Sequence, residues 1–284
     1  MSNDPGILFV VATPIGNLAD MGQRALETLR QVDLVAAEDT RQTRVLLRHY
    51  GLNPPMVSYQ EHNEEEMVPR LVREIGQGRR IALVSDAGTP LVSDPGYRLV
   101  RAVRDQGWPV VAIPGPSALL CALAAGGLPT DRFLFAGFPP RTGAKRQSWL
   151  AALASEPGTL VLYESSHRVM DTLADLDQVF GTARRLVLAR ELTKIHETFL
   201  EGSAAEVLER LRRDPDQRKG EHVLLIEGAG TGKAELDPAS ERLLRLLLEE
   251  LPVKQAVALA ARISELPRNR LYRLAMAIQG QASG

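Results

Sequence analysis

Cysteine is nearly missing: Cys121 is the only one in 284 residues. An internal disulfide framework is therefore excluded, and a thiolate zinc site has no ligands to use. Cys121 lies in the apolar stretch "SALLCALAAGG", where a small buried hydrophobe is the expected role. A dominant charge is also lacking, because Lys and Arg number 34 against 35 Asp and Glu, for a net charge of -1. Overall charge thus points to neither nucleic acid nor membrane, and any polyanion site must come from local patches. No apolar run approaches the roughly 20 residues that a bilayer-spanning helix needs. The opening residues "MSNDPGILFVVATP" lack the basic n-region of a secretory signal, so a cytoplasmic location is expected. Internal repeats and low-complexity runs are absent as well.

What is present is the balance of a soluble globular protein, 44% hydrophobic and 24% charged. The length fits one large domain or two ordinary ones. Apolar runs at 7–12, 33–37, 80–85 and 109–114 read as strands, and helical spacing lies between them. Strand–helix alternation predicts a mostly parallel sheet. The Gly- and Pro-rich stretch "LAAGGLPTDRFLFAGFPPR" (123–141) reads as a junction, after which a second α/β unit follows, with strands at 159–165, 185–192 and 222–228. "GAGTGKAELDPAS" reads as a linker. Beyond it come three helical patterns with a short turn around "ELPRN", the spacing of a helix-turn-helix. Seven basic residues against four acidic ones over 241–273 fit either a packing appendage or RNA contact. The expected boundaries are 1–125, 126–233 and 234–284.

Four loops that follow the first strands are rich in Gly, Pro and small polar residues: "ATPIGNLAD", "AEDTR", "SDAGTPLVSDPG" and "IPGPSA". Parallel sheets bind ligands beyond the carboxyl ends of their strands, so these loops predict a pocket wall. A dinucleotide fold fits poorly, because "TPIGNL" has one glycine where the phosphate fingerprint needs three. "GAGTGK" lacks Walker A spacing and the following Ser or Thr.

Nine segments in order, "VATPIGNLAD", "AEDTRQTRVLL", "YQEHNE", "LVSDAGTPLVSDPG", "IPGPSAL", "FAGFPPR", "YESSHR", "LARELTKIHETF" and "GEHVLLIEG", carry a resemblance over nearly the whole chain. The chain resembles the tetrapyrrole-methylase superfamily and, within it, the branch that 2′-O-methylates a cytidine of 16S ribosomal RNA. The resemblance implies two α/β domains of the tetrapyrrole-methylase type with a cofactor cleft between them, plus a C-terminal helical segment. It implies S-adenosylmethionine as donor, the small ribosomal subunit as partner, and a homodimer with no membrane association.

By match to the family's motifs, the donor is expected against Pro14, Ile15, Asp86, Ala87, Gly88, Ser117, Ala118, Leu162, Tyr163, Ala189 and His222. His222 departs from the apolar aromatic usual there, so its backbone is the expected contact. Asp94 suits either the pocket or an N-cap before "GYRLV". Methyl transfer to a ribose hydroxyl needs its proton polarised or removed. Candidates for that chemistry are Glu38, Asp39, His62, Glu191 and Lys194, with Glu64, His196 and Glu197 nearby. Phosphate contacts are expected from Arg41, Arg44, Arg168 and Arg190. Arg141, Lys145 and Arg146 are expected to supply more from a basic loop, with Trp149 packed behind it.

Overall fold

The computed structural model describes residues 5–229, 238–264, 266 and 268–281. Its elements run β1 (Leu8–Val11), α1 (Gln23–Gln31), β2 (Leu34–Ala37), α2 (Thr40–His49), β3 (Met56–Ser58), α3 (Glu64–Gly76) and β4 (Ile81–Val84). These are followed by α4 (Tyr97–Asp105), β5 (Val110–Ile113), α5 (Ala118–Ala125), β6 (Phe133–Gly137), α6 (Gly143–Ala152), β7 (Thr159–Ser165) and α7 (Val169–Phe180). Then come β8 (Leu186–Arg190), β9 (Thr198–Gly202), α8 (Ala204–Arg213), β10 (Glu221–Ile226), α9 (Pro238–Glu250), α10 (Val253–Ser264) and α11 (Arg268–Gln281). The chain divides into two compact units, Met1–Ala229 and Gly230–Gly284.

The larger unit contains two sheets. The first has the order β3-β2-β4-β1-β5, with every pair parallel. Both faces are covered, which explains the unbroken apolar runs of its strands. Alternate residues serve opposite faces: Phe9, Val35, Ala37, Ala82 and Val84 pack with Ala25 and Leu29 of α1. Leu8, Leu34, Ala36, Ile81 and Leu83 pack with Leu71 and Ile75 of α3 and Leu99 and Val103 of α4. From β2 the chain moves outward to β3, whereas from β4 it crosses to β5 on the far side. The loops after β2 and β4 therefore diverge at a topological switch point, where ligands of open α/β sheets bind.

The second sheet is mixed, in the order β6-β7-β10-β8-β9; only β6 and β7 run parallel. One face packs on α6, α7 and α8 through Leu160, Leu162, Leu188 and Leu224. In α8, Ser203 and Glu206 form a capping box, and Val207, Leu208 and Leu211 repeat at helical spacing toward the sheet. The other face, with Val161, Val187, Ala189, Val223 and Leu225, packs on α5 and on Ile15 from the first sheet's loop. That shared cluster joins the two sheets.

Three strands escape the sequence reading. β3 and β9 are short and only partly buried. β6 lies inside the stretch read as a junction, where flanking Gly and Pro mask its five residues. In the smaller unit, α9, α10 and α11 pack around Leu244, Ala256, Val257, Ala260, Leu271 and Ala275. Most of the expected linker (230–237), and residues 265 and 267 of the expected turn, lie outside the described residues. Among the described residues no helix is long and apolar enough to cross a membrane.

Candidate active site

A cavity of about 360 Å³ opens between the carboxyl edge of the first sheet and the second sheet. That volume lies in the range of small-molecule sites. All four Gly- and Pro-rich loops reach it: Ile15 follows β1, Glu38 follows β2, Asp86 to Thr89 and Asp94 follow β4, and Ser117 and Ala118 follow β5. Tyr163, Glu164 and Ser165 at the end of β7, and Glu221, His222 and Val223 at the start of β10, line the opposite wall. Phe138 and Leu192 complete that wall.

Backbone bonds hold the loops together. Thr13 and Gly88 exchange two N–H···O bonds of 2.9 and 3.0 Å. At the switch point the exchange is reciprocal: the Asp39 N–H donates to Asp86 Oδ1 at 2.9 Å, and the Asp86 N–H donates to Glu38 Oε2 at 3.2 Å. Gln42 Nε2 donates to the other Asp86 oxygen at 3.2 Å. Among the described residues Asp94 accepts no backbone N–H, and the buried Ser85 hydroxyl near it makes no hydrogen bond.

These three carboxylates share an anionic corner. Burial raises Glu38, and the charges of Asp86 and Asp39 add to the rise against the Asp86 N–H bond. Burial also raises Asp86. It pushes Asp94 up to about 6, and the Glu38 and Asp86 charges reinforce the shift. Among the described residues none of the three makes an ion pair. Perturbed acids in a cleft mark a functional site.

Of the residues expected at the donor, Ile15, Asp86, Ala87, Gly88, Ser117, Ala118, Tyr163 and His222 come together on this cavity. The Tyr163 hydroxyl accepts the Leu119 N–H at 3.2 Å, at the start of α5. The His222 ring is buried; its Nε2 lies 3.2 Å from the Gln217 carbonyl, Nδ1 has no partner among the described residues, and burial lowers its pKa. Pro14, Leu162 and Ala189 are buried behind the lining rather than on it. Leu162 points toward the helices on the far side of the second sheet.

Of the groups expected to do chemistry, only Glu38 lines the cavity. Asp39 instead caps α2 and pairs with Arg41 at 2.9 Å, which lowers it to about 2. His62 sits on an exposed 3₁₀ turn outside the lining. Glu191 and Lys194 form a cluster with Glu221 at the cavity edge, with Lys194 Nζ 2.8 and 2.9 Å from the two carboxylates. Glu64 is buried and structural, accepting the Tyr59 hydroxyl at 2.8 Å and the Gly96 N–H at 3.0 Å. His196 and Glu197 line a separate surface pocket with Arg190. Asp94 does not cap α4, whose N-cap is Gly96; it faces the cavity.

The basic loop is corrected outright. Lys145 and Arg146 belong to α6, and Arg146 is 4% exposed and ion-paired with Asp175 at 2.6 Å. Arg190 is also buried, donating to the Lys219 and His196 carbonyls. Arg168 pairs with Glu164 at 2.7 Å and donates to the Pro139 carbonyl at 3.0 Å. Arg41, Arg44, Arg141 and Lys145 are exposed. Trp149 packs against the core, as expected. Sequence reasoning gave no role to Phe138, Glu164 and Glu221, although they lie in the quoted segments "FAGFPPR", "YESSHR" and "GEHVLLIEG".

Residues 8–208 match the family described as Tetrapyrrole (Corrin/Porphyrin) Methylases, and residues 234–279 match the RsmI C-terminal HTH domain. The chain is 49% identical over 278 residues to the ribosomal RNA small subunit methyltransferase I of Escherichia coli O157:H7, covering 98% of this chain and 97% of the relative. A crystal structure of diphthine synthase shares the fold, with a TM-score of 0.60 and 18% identity over 78% of this chain and 90% of that one. So does the uroporphyrin-III C-methyltransferase from Thermus thermophilus complexed with S-adenosylhomocysteine. Its TM-score is 0.53, at 19% identity over 79% of this chain and 98% of that one.

Proposed function

The chain belongs to the tetrapyrrole (corrin/porphyrin) methylase family, and from that premise we propose that it transfers methyl from S-adenosylmethionine to a cytidine 2′-oxygen of 16S ribosomal RNA. Near-full-length similarity to a ribosomal RNA small subunit methyltransferase I supports the acceptor. The observation that carries the donor is the anionic corner of Glu38, Asp86 and Asp94, which has no cation among the described residues.

The residues fit this donor. When bound, it supplies a methyl group on a positively charged sulfur. Half-buried carboxylates without a cation among the described residues favour a positive guest. Gly88 has φ +81, a left-handed turn that favours glycine, whereas a Cβ there would meet Ile15 Cγ2 only at an ordinary contact distance of 3.4 Å; the turn, not the space, asks for glycine. Ser117 and Ala118 present the start of α5, whose first N–H groups suit the polar ends of the molecule. Tyr163 and His222 close the opposite wall.

The ribose oxygen ends with a methyl group in place of its proton, so a base, either a cavity side chain or water, receives that proton. In this reading Asp94 receives it at a carboxylate oxygen: it lines the cavity, burial has strengthened its proton affinity, and among the described residues no backbone donor occupies it. Glu38 and Asp86 hold the loop geometry around it. The same reading has the chain act as a homodimer in the cytoplasm. Exposed Phe133 and Leu134 on edge strand β6 supply an apolar surface for pairing.

The test uses methyl-labelled donor with unmethylated small subunits, naked 16S RNA and a porphyrinogen. Label on a ribose 2′-oxygen of the RNA is expected. Label on the porphyrinogen alone would overturn the acceptor.

A further inference from the structure

Aromatic residues make up only 5% of the chain, yet three rings converge at one wall of the cavity. Phe135 and Phe138 both meet Tyr163 edge-on, with centroids 4.8 and 5.6 Å apart. Phe138 lines the cavity while remaining 53% exposed. A large exposed apolar side chain is common by itself. This one is aimed. The β6–β7 register slips between Phe135 and Gly137, and Gly137 takes φ +70, a bulge that re-aims the chain at the end of the strand.

The next residues fix that aim. Pro139 and Pro140 restrict the backbone, and the Pro139 carbonyl accepts Arg168 Nη1 at 3.0 Å. Arg168 is itself tied to the buried Glu164 at 2.7 Å. Just beyond stand Arg141 and Lys145, both exposed and, among the described residues, without an ion pair.

We infer that the outer face of Phe138 is the stacking platform for a nucleobase of the acceptor RNA, with Arg141 and Lys145 beside it for the flanking phosphates. The inference rests on the RNA reading above. A ring at the cavity mouth accepts any base through its π-face, and adjacent cations track the strand. An unstacked base on Phe138 would hold its strand at the opening where the ribose must enter.

The test is methyl transfer from labelled donor to unmethylated small subunits, with donor affinity measured by calorimetry on the same proteins. Phe138→Ala is expected to lower kcat/KM for the subunit by about 5- to 150-fold, the range of one lost base stack. Donor affinity and Tm should stay at the wild-type values. Phe138→Trp should retain transfer, whereas Phe138→Leu, apolar but without a π-face, should behave as the alanine variant does. Unchanged transfer by Phe138→Ala, or full activity of Phe138→Leu, would overturn the inference. A parallel fall in donor affinity would also overturn it, assigning the ring to the donor instead. Wild-type protein that transfers no label to subunits or RNA would refute the RNA reading itself, a result separate from any ranking of the variants.

Discussion

Carboxylates stand on both walls of the cavity, but the two walls treat them differently. On the second-sheet wall each acid has a cation. Glu164, 2% exposed, accepts Arg168 as well as the Ser165 N–H and the Thr172 hydroxyl. Glu191 and Glu221 share Lys194; burial works against the Glu191 charge, but its bonds from Lys194 and the Glu221 N–H leave its pKa lowered. On the first-sheet wall Glu38 and Asp86 have neutral donors only, Asp94 has no cation among the described residues, and all three are raised. Counting acids would not separate the walls; their charge balance does. The second wall is a finished structure, whereas the first is complete only when a positive group arrives.

The largest effect should come from spoiling the finished wall. Arg168→Met leaves Glu164 as a buried charge with no cation, a loss that typically costs about 3–5 kcal/mol. Thermal unfolding should show Tm lower by on the order of 10 °C; a change under about 1 °C would erase the contrast. Next is Asp86→Ala on the open wall. It removes one acid and both bonds that the side chain accepts from Asp39 and Gln42. Donor affinity by calorimetry should fall by about 100-fold, the scale of one charge-assisted contact plus its support.

Asp94 sharpens the contrast because its replacement should stabilise. Its folded pKa of about 6 lies above the ordinary aspartate value, so the folded state holds its proton more tightly than the unfolded chain. Its contribution is therefore intact below about pH 4 and is lost as pH rises through 6. Above that window the ionised form costs roughly 2–3 kcal/mol, at about 1.36 kcal/mol for each pH unit between the ordinary and the folded value. Asp94→Asn should thus unfold at a higher temperature than wild type at pH 8 and match it near pH 4, while methyl transfer is lost. Equal Tm values at pH 8 would mean that the carboxylate is not strained there.

Much of this wall was legible in the sequence. Four small-residue loops after four predicted strands bring Ile15, Glu38, Asp86 to Gly88, Ser117 and Ala118 to one edge, where they line the cavity, because a parallel sheet gathers its carboxyl ends whatever the strand order. The second wall was less legible, since its partners are remote in sequence. Nothing near Arg146 announces Asp175, 29 positions on, so a buried ion pair resembles a basic loop. Asp94 in "SDPG" carries every local sign of a cap, yet the helix begins only at Tyr97, and Gly96 takes the cap position. β6 shows the same limit, because the glycine that forms its bulge also makes the strand look like a turn.

The smallest effect concerns the rims rather than the walls. Exposed Arg44 follows the first wall on α2, and exposed Arg141 and Lys145 follow the second around α6. Each cation that touches a phosphate of single-stranded RNA adds about 0.7 to the slope of log affinity against log salt concentration. Neutralising Arg141 and Lys145 together should lower that slope by about 1.4, and Arg44→Gln by about 0.7, without a change in Tm. Arg146→Gln gives the opposite pattern: its partner is Asp175, so Tm should fall and the slope should stay. If the slope fell with Arg146 and held with Lys145, RNA would have to reach a side chain sealed beneath α6, and the assignment of the rim would be wrong.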